Sequence, residues 1–146
     1  MKVMTGKIIF RRCRSGDSGG AIYLLGSSHF SFSEVVSEIT FESCSAVKGG
    51  ALAIEEASSM TFNSTFASDQ KRINFDSNHA SQDPKTGASG SAIYIKSSML
   101  TLRDAIVQNH QEMIPIQIDR GNHIEMENVQ LINNHAKDKG LGVIYC

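Results

Sequence analysis

The chain has 146 residues, 14 of them basic and 15 acidic, for a net charge of −1. That is length for one core, with no electrostatic footprint for nucleic acid or an anionic membrane surface. No apolar run reaches the length of a spanning helix, and three cysteines with no two at short ligand spacing fit neither a disulfide scaffold nor a zinc site.

The opening MKVMTGKIIFRRC reads as neither a signal peptide nor an amphipathic targeting helix. From residue 8 onward, short apolar patterns cycle. IIFRRC at 8–13 is followed by the pairs Ile22/Leu24 and Phe30/Phe32. ITFESC at 39–44 is followed by Leu52/Ile54 and Met60/Phe62, and INFDSN at 73–78 by Ile93/Ile95 and Leu100/Leu102. AIVQN at 105–109 is followed by Ile116/Ile118 and Ile124/Met126, and VQLINN at 129–134 by Ile144/Cys146. Spacing by two is strand periodicity with one face buried, so the residues between, such as Tyr23, Tyr94 and Tyr145, are expected to face outward or pack between loops.

The first cycle contains GDSGG, the string around the nucleophilic serine of trypsin-like proteases. A serine nucleophile needs a histidine base, which in that family precedes it, and no histidine precedes Ser18. The string recurs for another reason. SGGAIYL at 18–24 returns as KGGALAI at 48–54 and SGSAIYI at 89–95. It is a repeated turn in which Gly19, Gly20, Gly49 and Gly50 let the backbone bend sharply.

The repeat length follows from a ladder position read as Cys13, Cys44, Asn78, Asn109 and Asn134, with steps of 31, 34, 31 and 25 residues. No segment shows 3.6-residue periodicity, and a propeller blade needs four strands. The spacing predicts an all-β solenoid, a right-handed parallel β-helix of about four to five rungs of three short strands, with rungs about 4.8 Å apart. Stacked asparagines suit left-handed corners and hydrogen-bond along the stack. Stacked Cα atoms at Cys13 and Cys44 leave a disulfide open, against in-register Cβ separations that are usually too long.

Alternation of GGAIYL, GGALAI and FDSN resembles the passenger repeats of chlamydial polymorphic outer-membrane proteins, whose paired motifs are GGA-aliphatic and FxxN, on a pectin-lyase-like right-handed parallel β-helix. The resemblance covers residues 7–146. GGA is intact twice, becomes GSA at 90–92 and GLGV at 140–143, and is lost around Pro115; FxxN is intact once, from Phe75 to Asn78.

The resemblance implies a non-catalytic cell-surface or secreted module for adhesion, display or structural spacing. Its partner would be a host-cell, protein or glycan surface, without a cofactor. The alternative on the same fold is a fragment of a carbohydrate-active enzyme whose active site lies outside this segment. Neither end reads as a polar cap, so residues 1–146 are expected to form a single β-helix segment, a fragment of a longer solenoid contacting its neighbouring rungs.

Three further features bear on chemistry. Lyases and hydrolases of this fold set carboxylates on neighbouring rungs, and the nearest approach is Arg11, Glu42 and Asp76, a column continued by Val107 and Ile132. Its expected role is a solvated charge column. His79, His110 and His135 follow the ladder asparagines and are expected to stack as surface turn residues on consecutive rungs, a geometry that would also suit a shared metal or a pH response. Asn63-Ser64-Thr65 is a glycosylation sequon in one insertion, and SQDPKTGASG at 81–90 is a second insertion of the kind that carries binding function.

Overall fold

In the computed structural model, residues 6–32, 36–62, 73–81, 89–136 and 144–145 are described, and among them all regular structure is β-strand. The insertion holding Asn63, most of the 81–90 insertion and the side chain of Tyr145 lie outside the described residues.

The first rung contains β1 (Gly6–Arg11), β2 (Ile22–Leu24) and β3 (His29–Phe32). The second contains β4 (Val36–Glu42), β5 (Ser45–Ala46), β6 (Leu52–Glu55) and β7 (Ser59–Phe62), and the third β8 (Ile73–Asp76), β9 (His79–Ala80), β10 (Ile93–Lys96) and β11 (Met99–Arg103). The fourth contains β12 (Ala105–Gln108), β13 (Gln111–Glu112), β14 (Ile116–Ile118) and β15 (His123–Glu127). The fifth contains β16 (Gln130–Ile132), β17 (His135–Ala136) and β18 (Ile144–Tyr145).

Equivalent strands stack in three sheets, ordered β1-β4-β8-β12-β16, β2-β6-β10-β14-β18 and β3-β7-β11-β15. Small two-stranded sheets join β5 to β9 and β13 to β17. Every pairing is parallel. This is a parallel β-helix with three main strands per rung. The chain coils this way because each strand carries apolar residues at every second position, and a neighbour one repeat away offers the same pattern at the same register.

Inside the coil, identical residues meet. Phe41 is stacked between Phe10 and Phe75 at centroid distances of 4.9 and 4.7 Å. Phe62 stacks on Phe32 at 5.1 Å and meets Phe41 and Phe75 edge-on at 6.3 and 6.2 Å. The two aromatic columns therefore lock at right angles, each pair adding about 0.5–1.5 kcal/mol to the burial itself. Leu52, Ile54, Ile93, Ile95, Leu100, Leu102 and Ile116 complete the buried core.

The terminal rungs depart from the expected burial. Phe30 is 41 % exposed although its column partners Met60 and Leu100 are buried, because β3 pairs with β7 on one side only among the described strands. Tyr23 and Tyr94 share an outward column with Ala53 between them. Tyr23 is half-exposed; Tyr94 is buried against Ala53.

Gly19, Gly49 and Gly90 begin the turns into the second sheet, all with φ near +60°. At Gly50 a Cβ would run into the carbonyl oxygens of Ser91 and His79, and at Gly20 into that of Gly50, so close approach of rungs excludes any side chain there. In the fourth rung Pro115 takes the place of the turn alanine. Its carbonyl accepts from the N–H groups of Ala92 and Ile93 at 2.9 and 3.0 Å, so the stack continues without GGA.

Candidate functional site

The corner after the first sheet carries the expected ladder, with one correction. Pairing of Gln108 with both Asp76 and Ile132 places Asn109 level with Ser77 and Asn133. These three share the left-handed corner with Arg12 and Ser43, at φ between 51° and 58°. The ladder residue of the fourth rung is His110, and the steps become 31, 34, 32 and 24 residues. Asparagine suits both places, since it tolerates positive φ and also caps a backbone, and Asn109 is the corner kind.

The inward asparagines each cap the rung before them. Asn78 Oδ1 accepts from the Cys44 N–H at 3.0 Å, while its Nδ2 donates to the Phe41 carbonyl at 3.1 Å. Asn134 repeats this on the His110 N–H, at 3.1 Å, and the Val107 carbonyl, at 2.7 Å. Between them lies the His110 ring, fully buried. Its Nδ1 donates to Asn134 Oδ1 at 3.1 Å and its Nε2 accepts from Asn78 Nδ2 at 3.4 Å. This network fixes a neutral Nδ1–H tautomer, the assignment resting on the amide orientations. Burial pulls the His110 pKa down to about 4, against the hydrogen bond from Asn134 and the charge of Asp76.

The histidine column is corrected accordingly. His79 is paired with Ser45, and His135 with Gln111. His79 and His135 are exposed, and His110 belongs to the buried ladder one position earlier, so the three imidazoles do not stack together. The charge column is corrected at the same point: Arg11, Glu42 and Asp76 continue into Gln108 rather than Val107. Arg11 Nε donates to Glu42 at 2.8 Å, and Asp76 accepts from Ser77, Gln108 and Asn109 at 2.7, 3.1 and 3.0 Å. Every charge in this column is engaged by a neighbour.

The sequence reading missed a second cluster on the outer side of the second sheet. Ser18 is buried and donates through Oγ to Glu55 Oε1 at 3.3 Å. Lys48 Nζ binds the same oxygen at 3.2 Å and sits 5.7 Å from the Tyr94 ring centroid. Tyr94 in turn donates to Asp119 at 3.2 Å. Burial alone would lower the Lys48 pKa, but the hydrogen bond and charge of Glu55 override it and hold the ammonium above its usual range. Burial, then Glu55, raises the Tyr23 phenol beside them. Lys48 and Glu55 stand on either side of the GGA turn, and only its bend brings them together. Chemically, Ser18 faces a carboxylate already held by an ammonium.

Among the described residues, no group of three or more His, Cys, Asp or Glu side chains is arranged to hold a metal ion. None of them forms a helix long and apolar enough to cross a membrane. No protein-family pattern, curated protein or solved structure matches this chain.

Proposed function

We propose that this chain is a non-catalytic module of a cell-surface or secreted parallel β-helix, of the kind found in polymorphic outer-membrane protein passengers, used for adhesion, display or spacing. The observation that carries the reading is the parallel stacking of equivalent strands through successive rungs, which holds outward side chains at repeated positions along one axis. Its charges are used to tie rung to rung. Lys7 pairs with Glu38, Arg11 with Glu42 at 2.8 Å and Arg103 with Glu127 at 3.1 Å. A stack built this way is a rigid carrier for surface contacts, and its partner is a protein or glycan on another cell.

The purified chain, immobilised and offered to cultured epithelial cells and a glycan array, should retain one of them. The same preparation should leave polygalacturonate and related glycans intact with and without calcium. Release of unsaturated or reducing ends would overturn the non-catalytic reading and place a carbohydrate-active site within this segment.

A further inference from the structure

Cys13 and Cys44 occupy one ladder position on adjacent rungs, between the paired residues Arg11–Glu42 and Arg14–Ser45. The Ser45 N–H donates to the Cys13 carbonyl at 2.9 Å, which fixes their register. Both thiols are free.

Their sulfurs point the same way. Cys13 Sγ lies 3.9 Å from the Arg11 carbonyl oxygen, and Cys44 Sγ lies 3.6 Å from that of Glu42, in each case the carbonyl two residues earlier on the same rung. Equivalent backbone positions on adjacent rungs are separated by the rung spacing, about 4.8 Å. Cys44 Sγ also leans toward the first rung, 3.5 Å from the Phe10 carbonyl oxygen.

That spacing opposes a disulfide, which needs Cβ atoms at about 3.8 Å and sulfurs at about 2.05 Å. It matches a different bond. A metal–thiolate bond is about 2.3 Å long, so two in line span about 4.6 Å. No third His, Cys, Asp or Glu joins the pair among the described residues, whereas zinc takes four ligands. Two soft sulfurs without a third donor select a soft ion content with linear two-coordination.

We propose that Cys13 and Cys44 form a two-coordinate thiolate site for a soft monovalent cation of the copper(I) type, clipped between the first and second rungs. The reaction is an exchange without oxidation: one cation enters, two S–H bonds are lost as two protons, and two metal–sulfur bonds form. Half-buried Cys13 gives access, and fully buried Cys44 closes the site from the core side. Asn78 fixes the Cys44 backbone from below through the bond to its N–H.

The test uses the full chain with Cys146→Ser, reduced and free of oxygen, and silver(I) or copper(I) alone as the probe. Native mass spectrometry should show one ion bound with two protons lost, and the half-buried Cys13 should become protected from iodoacetamide. X-ray absorption should show two sulfur neighbours and no third ligand. Cys13→Ser, in the half-buried position, should fold and lose the ion. Retention of the ion by that variant, a third ligand in the absorption spectrum, or ready closure of a Cys13–Cys44 disulfide by glutathione disulfide would each overturn the proposal.

Discussion

His110 and Asn134 meet twice: the imidazole Nδ1–H and the His110 backbone N–H both donate to Asn134 Oδ1, each at 3.1 Å. One asparagine oxygen therefore satisfies two buried donors of the rung before it. Protonation of the ring would put an N–H on Nε2, facing the Asn78 amide donor.

Stability should therefore fall with acid. The His110 pKa is about 4 in the folded chain, below its ordinary value, so the unfolded chain binds the proton first. The stabilisation from neutral His110 is full above about pH 6.5 and is lost as pH falls toward 4, by roughly 3 kcal/mol. Urea unfolding at pH 7 and pH 4.5 checks this. His110→Asn, which keeps a ladder amide, should flatten the dependence in that window. Asp76 acts lower on the scale. Burial raises its pKa, but hydrogen bonds from Asn109, Ser77 and Gln108 bring it below the usual value, so its contribution disappears only as pH falls through that lowered pKa.

The two kinds of asparagine should respond differently to truncation. Asn78→Ala strips partners from the Cys44 N–H and the Phe41 carbonyl, at a cost of roughly 2–4 kcal/mol. Asn109→Ala, at an exposed corner with φ 58°, should cost about 1 kcal/mol. Equal losses in chemical denaturation would contradict the register assigned to the fourth rung.

Gly50→Ala should prevent folding or cost more than about 4 kcal/mol, because its Cβ meets the backbone carbonyls of two rungs. Gly16→Ala, with nothing within 4 Å of its Cβ, should stay within about 0.5 kcal/mol of the parent. Melting curves on both separate steric exclusion from a general effect of glycine replacement.

Phe41→Ala should cost about 3–5 kcal/mol, since it empties the middle of a three-ring stack. Phe30→Ala, on a ring that is 41 % exposed, should cost about 1 kcal/mol or less. A larger loss at Phe30 than at Phe41 in urea unfolding would show the core placed wrongly.

A fluorophosphonate probe should leave Ser18 unlabelled, as its hydroxyl is buried and donates to a carboxylate tied to Lys48. Peptide mapping after exposure to the probe reads this directly. Labelling at Ser18 would revive the serine-nucleophile reading.

The coil was legible because it repeats. Phe10, Phe41 and Phe75 stand at the same offset from Cys13, Cys44 and Asn78, and parallel in-register pairing then follows from burying one face of each strand. The fourth rung misled because QNHQ offers a single asparagine, where INNH in the fifth offers one for the corner and one for the ladder. Composition does not distinguish a left-handed corner from an inward cap.

Sequence alone determined the period, the strand faces and the glycine turns, since alternation and close backbone approach are local demands written into consecutive residues. Tertiary structure alone decided that His110 is buried between two amides and that Lys48, Glu55, Ser18 and Tyr94 form one cluster. Those outcomes depend on which residues of different rungs come level, and a shift of one position in a loop moves a side chain from the solvent corner to the core.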